Sequence, residues 1–219
     1  MDIRIVHGSF MMTYILLMTT ATITFIEAIR TKIPMVRHIL NLETCISIVA
    51  GYFYSIFVEK MKSGKSGKID WKDITKTRYI DWCITTPMML LTLCLVLGMH
   101  TKVPVKLSIF LWIVALNYSM LYAGYLGEIG SIGRLESCGL GFIPFFLMFG
   151  TIFFVFVKPK YIRDNYILYF TYFVVWSLYG LVYLLSEEWK NVAMNILDFI
   201  AKCFIGIGLW GYYTKLFVL

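Results

Sequence analysis

The sequence predicts an all-α protein whose seven helices each cross a membrane, and three observations predict it. Charged residues make up 15% of the 219-residue chain against 59% hydrophobic, whereas soluble domains run nearer a quarter charged. Mean hydropathy is +0.75. Seven apolar stretches, roughly 8–29, 38–58, 79–100, 104–126, 135–157, 165–186 and 191–218, each supply the ~20 residues needed to span hydrocarbon at 1.5 Å of rise per residue. Little sequence is left for an extramembrane domain, so residues 1–219 read as one transmembrane domain embedded in a lipid bilayer.

The first stretch follows Arg4 and could pass for a signal peptide, but it is longer than the usual apolar region and no small-residue cleavage pattern follows it. It is read as helix 1. The second carries Glu43, and after it Glu59–Lys76 is the one long loop. The KSGKSGK run there (Lys62–Lys68) lacks the first glycine of a phosphate-binding pattern and reads as a turn-rich hairpin. The third stretch carries Asp81, with Arg78 at its boundary. The fourth to sixth hold no charge at mid-depth, and the seventh carries Asp198 and Lys202 there. The five cysteines, Cys45, Cys83, Cys94, Cys138 and Cys203, all fall inside stretches without CxxC spacing and read as packing residues, with neither a zinc site nor a disulfide framework indicated. His7, His38 and His100 lie near stretch ends, which favours a solvated role over metal binding.

A net charge of +7 raises the question of nucleic acid, but the basic residues are scattered through loops with no soluble domain to organise them. Loop charges do not set orientation either: nine Lys/Arg fall on each side.

Lys202 is the most informative residue. A lysine at mid-bilayer depth costs about 2.5–3.5 kcal/mol on insertion scales, so it tends to be paired and functional. A buried amine also shifts its pKa readily, which suits it to form a Schiff base with an aldehyde. Arg78 and Asp81 are three apart, Asp198 and Lys202 four apart, so each pair shares a helix face. Two cations facing two carboxylates form a neutral cluster able to survive in low dielectric. The plain alternative is an ion pair that only joins helices. Trp82, Trp176, Tyr179 and Tyr54 lie at mid-helix depth, away from the interfacial belt, and suit a slot for a flat apolar ligand.

Four segments together resemble the microbial (type 1) rhodopsins: RYIDWCITTPMMLL (Arg78–Leu91), LDFIAK (Leu197–Lys202), WSLYG (Trp176–Gly180) and AGYFY (Ala50–Tyr54). The resemblance implies a seven-helix bundle of the bacteriorhodopsin-like type, with all-trans retinal bound on Lys202 as a Schiff base. It implies Asp81 as primary counterion and proton acceptor, Asp198 as second counterion, Arg78 as the gating arginine, and Thr85 beside them. Trp82 and Trp176 would sandwich the polyene, Tyr54 and Tyr179 would bond Asp198, and Thr86, Pro87 and Met89 would line the chromophore. LNYSMLYAG (Leu116–Gly124) places Asn117, Met120 and Gly124 near the ring, and a weaker alignment adds Gly141 and Phe145. The resemblance also implies an extracellular N-terminus, a cytoplasmic C-terminus, a homo-oligomer, and a protein that is not an enzyme.

Departures from the family pattern bear on the subtype. Thr92 stands where proton pumps of the family have a carboxylate. Glu188 and Lys190 stand where a pair of acidic residues would release the proton, and Gly180 where most members have a kinking proline. With Glu43, Asn41, Ser47, Ser9 and Thr13 suggesting a polar seam, the chain resembles the viral rhodopsins, in particular the viral channelrhodopsins. The expectation is therefore a light-gated channel for monovalent cations, with Arg78, Asp81, Asp198, Glu43, Thr92, Asn41, Ser9 and Glu188 along the ion path. The alternative is a light-driven outward proton pump using Glu43 or water to return the proton, and the third reading is a sensor acting through a separate partner.

Overall fold

The structure, a computed structural model, describes residues 3–62 and 69–215. Among them are seven helices long and apolar enough to cross a membrane, and no strand. They are α1 (Ile3–Arg30), α2 (Pro34–Lys62), α3 (Trp71–Thr101), α4 (Leu107–Glu128), α5 (Arg134–Val157), α6 (Arg163–Val182) and α7 (Glu187–Tyr213). The described residues group into two compact units, one from the chain up to Asp81 together with everything from Ser186 onward, the other from Trp82 to Leu185.

In the first unit, α1 buries Val6, Phe10, Thr13, Leu17, Thr20, Ala21, Thr24 and Ala28, a stripe at alternating three- and four-residue spacing. Its other face shows Ile15, Met18, Phe25 and Ile29. Being apolar all round is what a helix facing both protein and lipid requires. The core of this unit gathers Phe10, Leu17, Ala50, Tyr54, Phe57 and Cys203. The long loop expected over Glu59–Lys76 is shorter than that. Glu59–Lys62 continue α2 and Trp71–Lys76 open α3, held by Lys60 Nζ on Asp73 Oδ2 (2.8 Å) and on Thr77 Oγ1 (2.6 Å). The hairpin expected in the KSGKSGK run falls on residues that lie, past Lys62, outside the described residues.

The seventh helix is not uniform. Phe199–Phe204, the six residues that carry Lys202, wind as π-helix between α-helical flanks. Such wide turns recur at functional sites because they redirect side chains without breaking the helix. Phe153–Val157 at the end of α5 winds the same way.

In the second unit, Pro87 lies inside α3 and has no N–H for the Cys83 carbonyl one turn back. The Tyr118 hydroxyl of α4 donates to that carbonyl instead, at 3.1 Å. In hydrocarbon a freed carbonyl is costly, so this bond is what makes the proline tolerable there. α4 ends where Gly130, at φ +78°, permits the Ser131 N–H to reach the Leu126 carbonyl (2.9 Å) and its own N–H the Gly127 carbonyl (3.2 Å). Helix 6 was expected to run to residue 186 but stops at Val182, and Leu184 and Leu185 fold into a turn. Cys45 and Cys83 are exposed rather than packed, Cys138 is half-buried, and Cys94 and Cys203 are buried.

Gly127 is required by close approach: a Cβ there would overlap the Tyr183 hydroxyl and sit 2.5 Å from the Ser137 side chain. Gly139 has nothing within 4 Å of the same position. Gly127→Ala is therefore expected to lose about 1–3 kcal/mol of stability from overpacking. Gly139→Ala loses none. Detergent-phase thermal melts of the two variants check the contrast.

Candidate functional site

The first unit holds a fully buried charge cluster built by α2, α3 and α7. Lys202 Nζ donates to Asp81 Oδ2 at 2.9 Å and lies 3.6 Å from Asp198 Oδ2. Arg78 Nη1 reaches the same Asp198 oxygen at 3.5 Å, so the quartet alternates in sign and sums to zero. All four side chains are at most 2% exposed. At that depth a cation is tolerated only when paired and fully hydrogen-bonded.

Arg78 takes more partners than a salt bridge supplies. Nη1 donates to the Tyr54 hydroxyl (3.2 Å), and Nη2 to the side-chain oxygens of Asn195 (2.8 Å) and Asn191 (3.1 Å). The rings of Phe57, Phe10 and Tyr54 lie 5.0, 5.5 and 5.8 Å from the guanidinium carbon. Tyr54 in turn directs its hydroxyl at Asp198 Oδ2 (2.7 Å). Asn195 Nδ2 donates to Ser9 Oγ (2.9 Å), and Ser9 donates to the Val6 carbonyl (2.7 Å). Ser9, expected on the ion path, is thus tied into the support of Arg78. Asn191, Asn195, Phe10 and Phe57 were not singled out in the sequence. The signal was available in part, since Asn191, Asn195, Asp198 and Lys202 recur at helical spacing on one face of α7.

On the other side of Lys202 along α7 lies Gly206, one turn on. A Cβ at Gly206 would sit 3.0 Å from Glu43 Oε2 and 3.0 Å from Thr20 Cγ2, which puts the buried Glu43 carboxylate against this stretch of backbone. Glu43 shares its α2 face with Ser47, which is also buried, and Thr44 on α2 bonds Thr24 of α1 (2.8 Å). Asn41 departs from the expected polar seam. It is exposed, because two helical residues separate it from Glu43 by about 200°, on the opposite side of α2. Glu188 is half-buried in the first turn of α7, where its neighbour Glu187 pairs with the buried Lys190 at 2.9 Å. That pair too was missed, Glu187 having been read as loop.

The second unit holds the remaining expected residues. Trp82 and Tyr179 meet edge to face at 5.6 Å. Thr86 Oγ1 donates to the Trp82 carbonyl (2.6 Å) and accepts from Asn117 Nδ2 (2.8 Å). Trp176 packs on Phe149, which packs on Phe145 at 4.8 Å. Met89, Thr85 and Thr92 are buried on α3, and Thr92 Oγ1 has no hydrogen-bond partner among the described residues. Met120 and Gly124 are half-buried on α4, where the Gly124 carbonyl accepts the Tyr183 hydroxyl at 3.0 Å. Burial pushes the Tyr183 phenol above its ordinary value, so it remains a donor. Gly180 has the Phe142 ring where a Cβ would stand, at 2.6 Å, so a side chain there would meet the ring. Gly141 is half-buried on α5. His100, expected to be solvated, is half-buried and bonds Asn165 through Nδ1 at 2.6 Å.

Chemically, an amine held 2.9 Å from one carboxylate and 3.6 Å from another fits an imine nitrogen that is cationic when protonated and has an acceptor for its proton in place. The Nζ of the free lysine stands in for that nitrogen.

Residues 6–216 match the protein family described as Bacteriorhodopsin-like protein. Among solved structures the chain is similar to viral rhodopsin OLPVRII, at 45% identity over 97% of this chain and 99% of that one, with a TM-score of 0.91. In fold alone it is similar to Acetabularia rhodopsin I, at 18% identity over 97% and 95% of the two chains and a TM-score of 0.81. It is likewise similar to xanthorhodopsin, described as a light-driven ion pump with dual chromophore, at 18% identity over 98% and 94% and a TM-score of 0.79. The opsin-like protein carO of Fusarium fujikuroi is 27% identical over 172 residues, 72% of this chain and 54% of the fungal protein. The chain thus spans about half the length of the curated relatives it matches.

Tyr54→Phe removes a 2.7 Å hydrogen bond to the Asp198 carboxylate without changing the ring. A bond to a charged group contributes about 1.5–3 kcal/mol, and that loss is expected in a thermal or denaturant melt of the retinal-free protein.

Proposed function

We propose that this chain, which belongs to the bacteriorhodopsin-like protein family, moves protons outward across the membrane in the light, with retinal held on Lys202. It is a multi-pass integral membrane protein and, as a microbial rhodopsin, a retinal-binding photoreceptor or ion transporter. The ion moved, its direction and the extracellular N-terminus are our reading. Retinal, when bound, supplies the light-driven isomerisation that changes the proton affinity and direction of the nitrogen it is attached to.

The observation that carries the proposal is the placing of carboxylates on both sides of Lys202 along α7. Asp198 lies one turn before it, with Asp81 bonded to Nζ, and the Glu43 carboxylate lies against Gly206, one turn after. Asp81 Oδ2, at 2.9 Å, takes the proton from Nζ. Asp198, held by Tyr54 and Arg78, stays ionised and keeps the field fixed while Asp81 is neutral. Glu43 returns a proton to Nζ from the opposite side, the part that Thr92 has no acidity to play. Asp81, Asp198 and Arg78 fall in the extracellular half under the proposed orientation, so the transfer is outward. Trp82, Thr86, Met89, Met120, Gly124, Phe145, Trp176 and Tyr179 are assigned to hold the polyene and ring.

The sequence favours a cation channel, and one observation keeps that second reading: Ser9, Asn195 and Arg78 form a continuous polar line on one side of Lys202. Against it, Arg78 is fastened by four hydrogen-bonding residues and three rings, all of which a hydrated cation would have to displace.

With retinal added, Lys202→Ala should stay colourless and Asp81→Asn should absorb to the red, because the cation loses its bonded carboxylate. An unmoved band in Asp81→Asn removes Asp81 from this role. Photocurrent recorded against voltage should remain outward throughout, and a reversal near a cation equilibrium potential would establish the channel instead. Glu43→Gln should slow the return of the proton to Lys202 by about 10²-fold or more, read by flash photolysis.

A further inference from the structure

Ser47 is a residue that neither the fold nor the charge cluster accounts for. A helix offers each serine or threonine hydroxyl a backbone carbonyl one turn back. Four buried threonines of this unit take such acceptors: Thr20 donates to Leu16, Thr24 to Thr20, Thr44 to Leu40 and Thr77 to Asp73, each at 2.8–2.9 Å, while Thr13 donates across to the Asn195 carbonyl (3.3 Å). Ser47 Oγ is fully buried and makes no hydrogen bond among the described residues. A buried hydroxyl turned away from its own helix calls for a polar partner.

Its level follows from two antiparallel helices. The Tyr54 hydroxyl bonds Asp198 at one end, and Glu43 faces Gly206 at the other. Glu43, Ser47, Ala50 and Tyr54 share one face of α2, while Gly206, Lys202, Asp198 and Asn195 share one face of α7. Ser47 stands one turn from Glu43 toward Tyr54, and Lys202 one turn from Gly206 toward Asp198. Ser47 therefore sits at the height of Lys202.

We propose that Ser47 Oγ anchors an ordered water that carries the proton from Glu43 to Lys202, an inference that rests on the reading of Glu43 as proton source. The Glu43 carboxyl gives its proton to the water oxygen, and the water gives one of its own to Lys202 Nζ. Glu43 is left as carboxylate, the water is restored, and Ser47 keeps its proton while fixing the water's position. Ser47 is a positioning residue in this step.

The test uses the full chain with retinal bound and compares Ser47→Ala with Ser47→Thr and Glu43→Gln. Ser47→Ala is expected to slow the return of the proton to Lys202 by about tenfold or more, with the visible band unmoved. Added azide, a small weak acid that can replace a relay, should restore the rate, and Ser47→Thr should stay near the native rate. Independently of turnover, a crystal structure in the dark should show a water within hydrogen-bond distance of Ser47 Oγ that is lost in Ser47→Ala. Should Ser47→Ala fail to fold, Ser47→Cys keeps the shape, weakens the anchor, and should show an intermediate rate. A native rate in Ser47→Ala beside a slow Glu43→Gln overturns this proposal alone. Native rates in both overturn the Glu43 reading. A Ser47 hydroxyl found donating to the Glu43 carbonyl, with no water beside it, also overturns the proposal.

Discussion

Two cations buried beside two carboxylates set the terms for everything around them. Each ion taken out of water costs several kcal/mol, and mutual attraction repays this only where the remaining donors are also satisfied. Lys202 has a single bonded carboxylate and a second within reach, which suffices for a compact ammonium. Arg78 carries five N–H groups and shares one carboxylate, so it needs further acceptors. Asn191 and Asn195 provide carbonyl oxygens at 3.1 and 2.8 Å. An aspartate at either place would bond Arg78 as well but would leave the cluster with a net negative charge. Neutral acceptors add hydrogen bonds at Nη2 without upsetting the charge balance, and Nε keeps no partner among the described residues.

The winding of α7 serves the same end. Asn191, Asn195, Asp198, Lys202 and Gly206 must all face inward over several turns, which a regular helix at 3.6 residues per turn does only approximately. The π-helical segment Phe199–Phe204 lies where that face passes from the charge cluster to Glu43.

How much of this the sequence reveals depends on whether a residue is unusual where it stands. Lys202, Asp198, Asp81 and Arg78 are legible because charge is rare in apolar stretches and each has a cost that demands a partner. Asn191, Asn195, Phe10 and Phe57 are not legible singly, since neutral amides and phenylalanines are ordinary in such helices and only their common target, Arg78, marks them. Asn41 shows the limit of proximity along the chain: two residues from Glu43, it lies on the far side of α2. Hydropathy shortened α2 and α3 because it registers the stretch in hydrocarbon, while both helices run on into polar residues that Lys60 and Asp73 pair together. Nothing in FIAKCF announces a π-helical turn.

A proton and a hydrated cation ask different things of the same polar residues. A cation needs a water-filled line with room for its shell, open from one face to the other. A proton needs only donors and acceptors at hydrogen-bond spacing, and it passes where the packing is dry elsewhere. On the proposed reading the first unit has the second character: Glu43 and Thr20 close on Gly206, Ser47 and Lys202 are buried, and aromatic rings close on Arg78. Opening such a place to cations requires Arg78 to leave its amides and rings together. On the proposed reading, moving one proton requires only that Lys202 exchange Asp81 for Glu43.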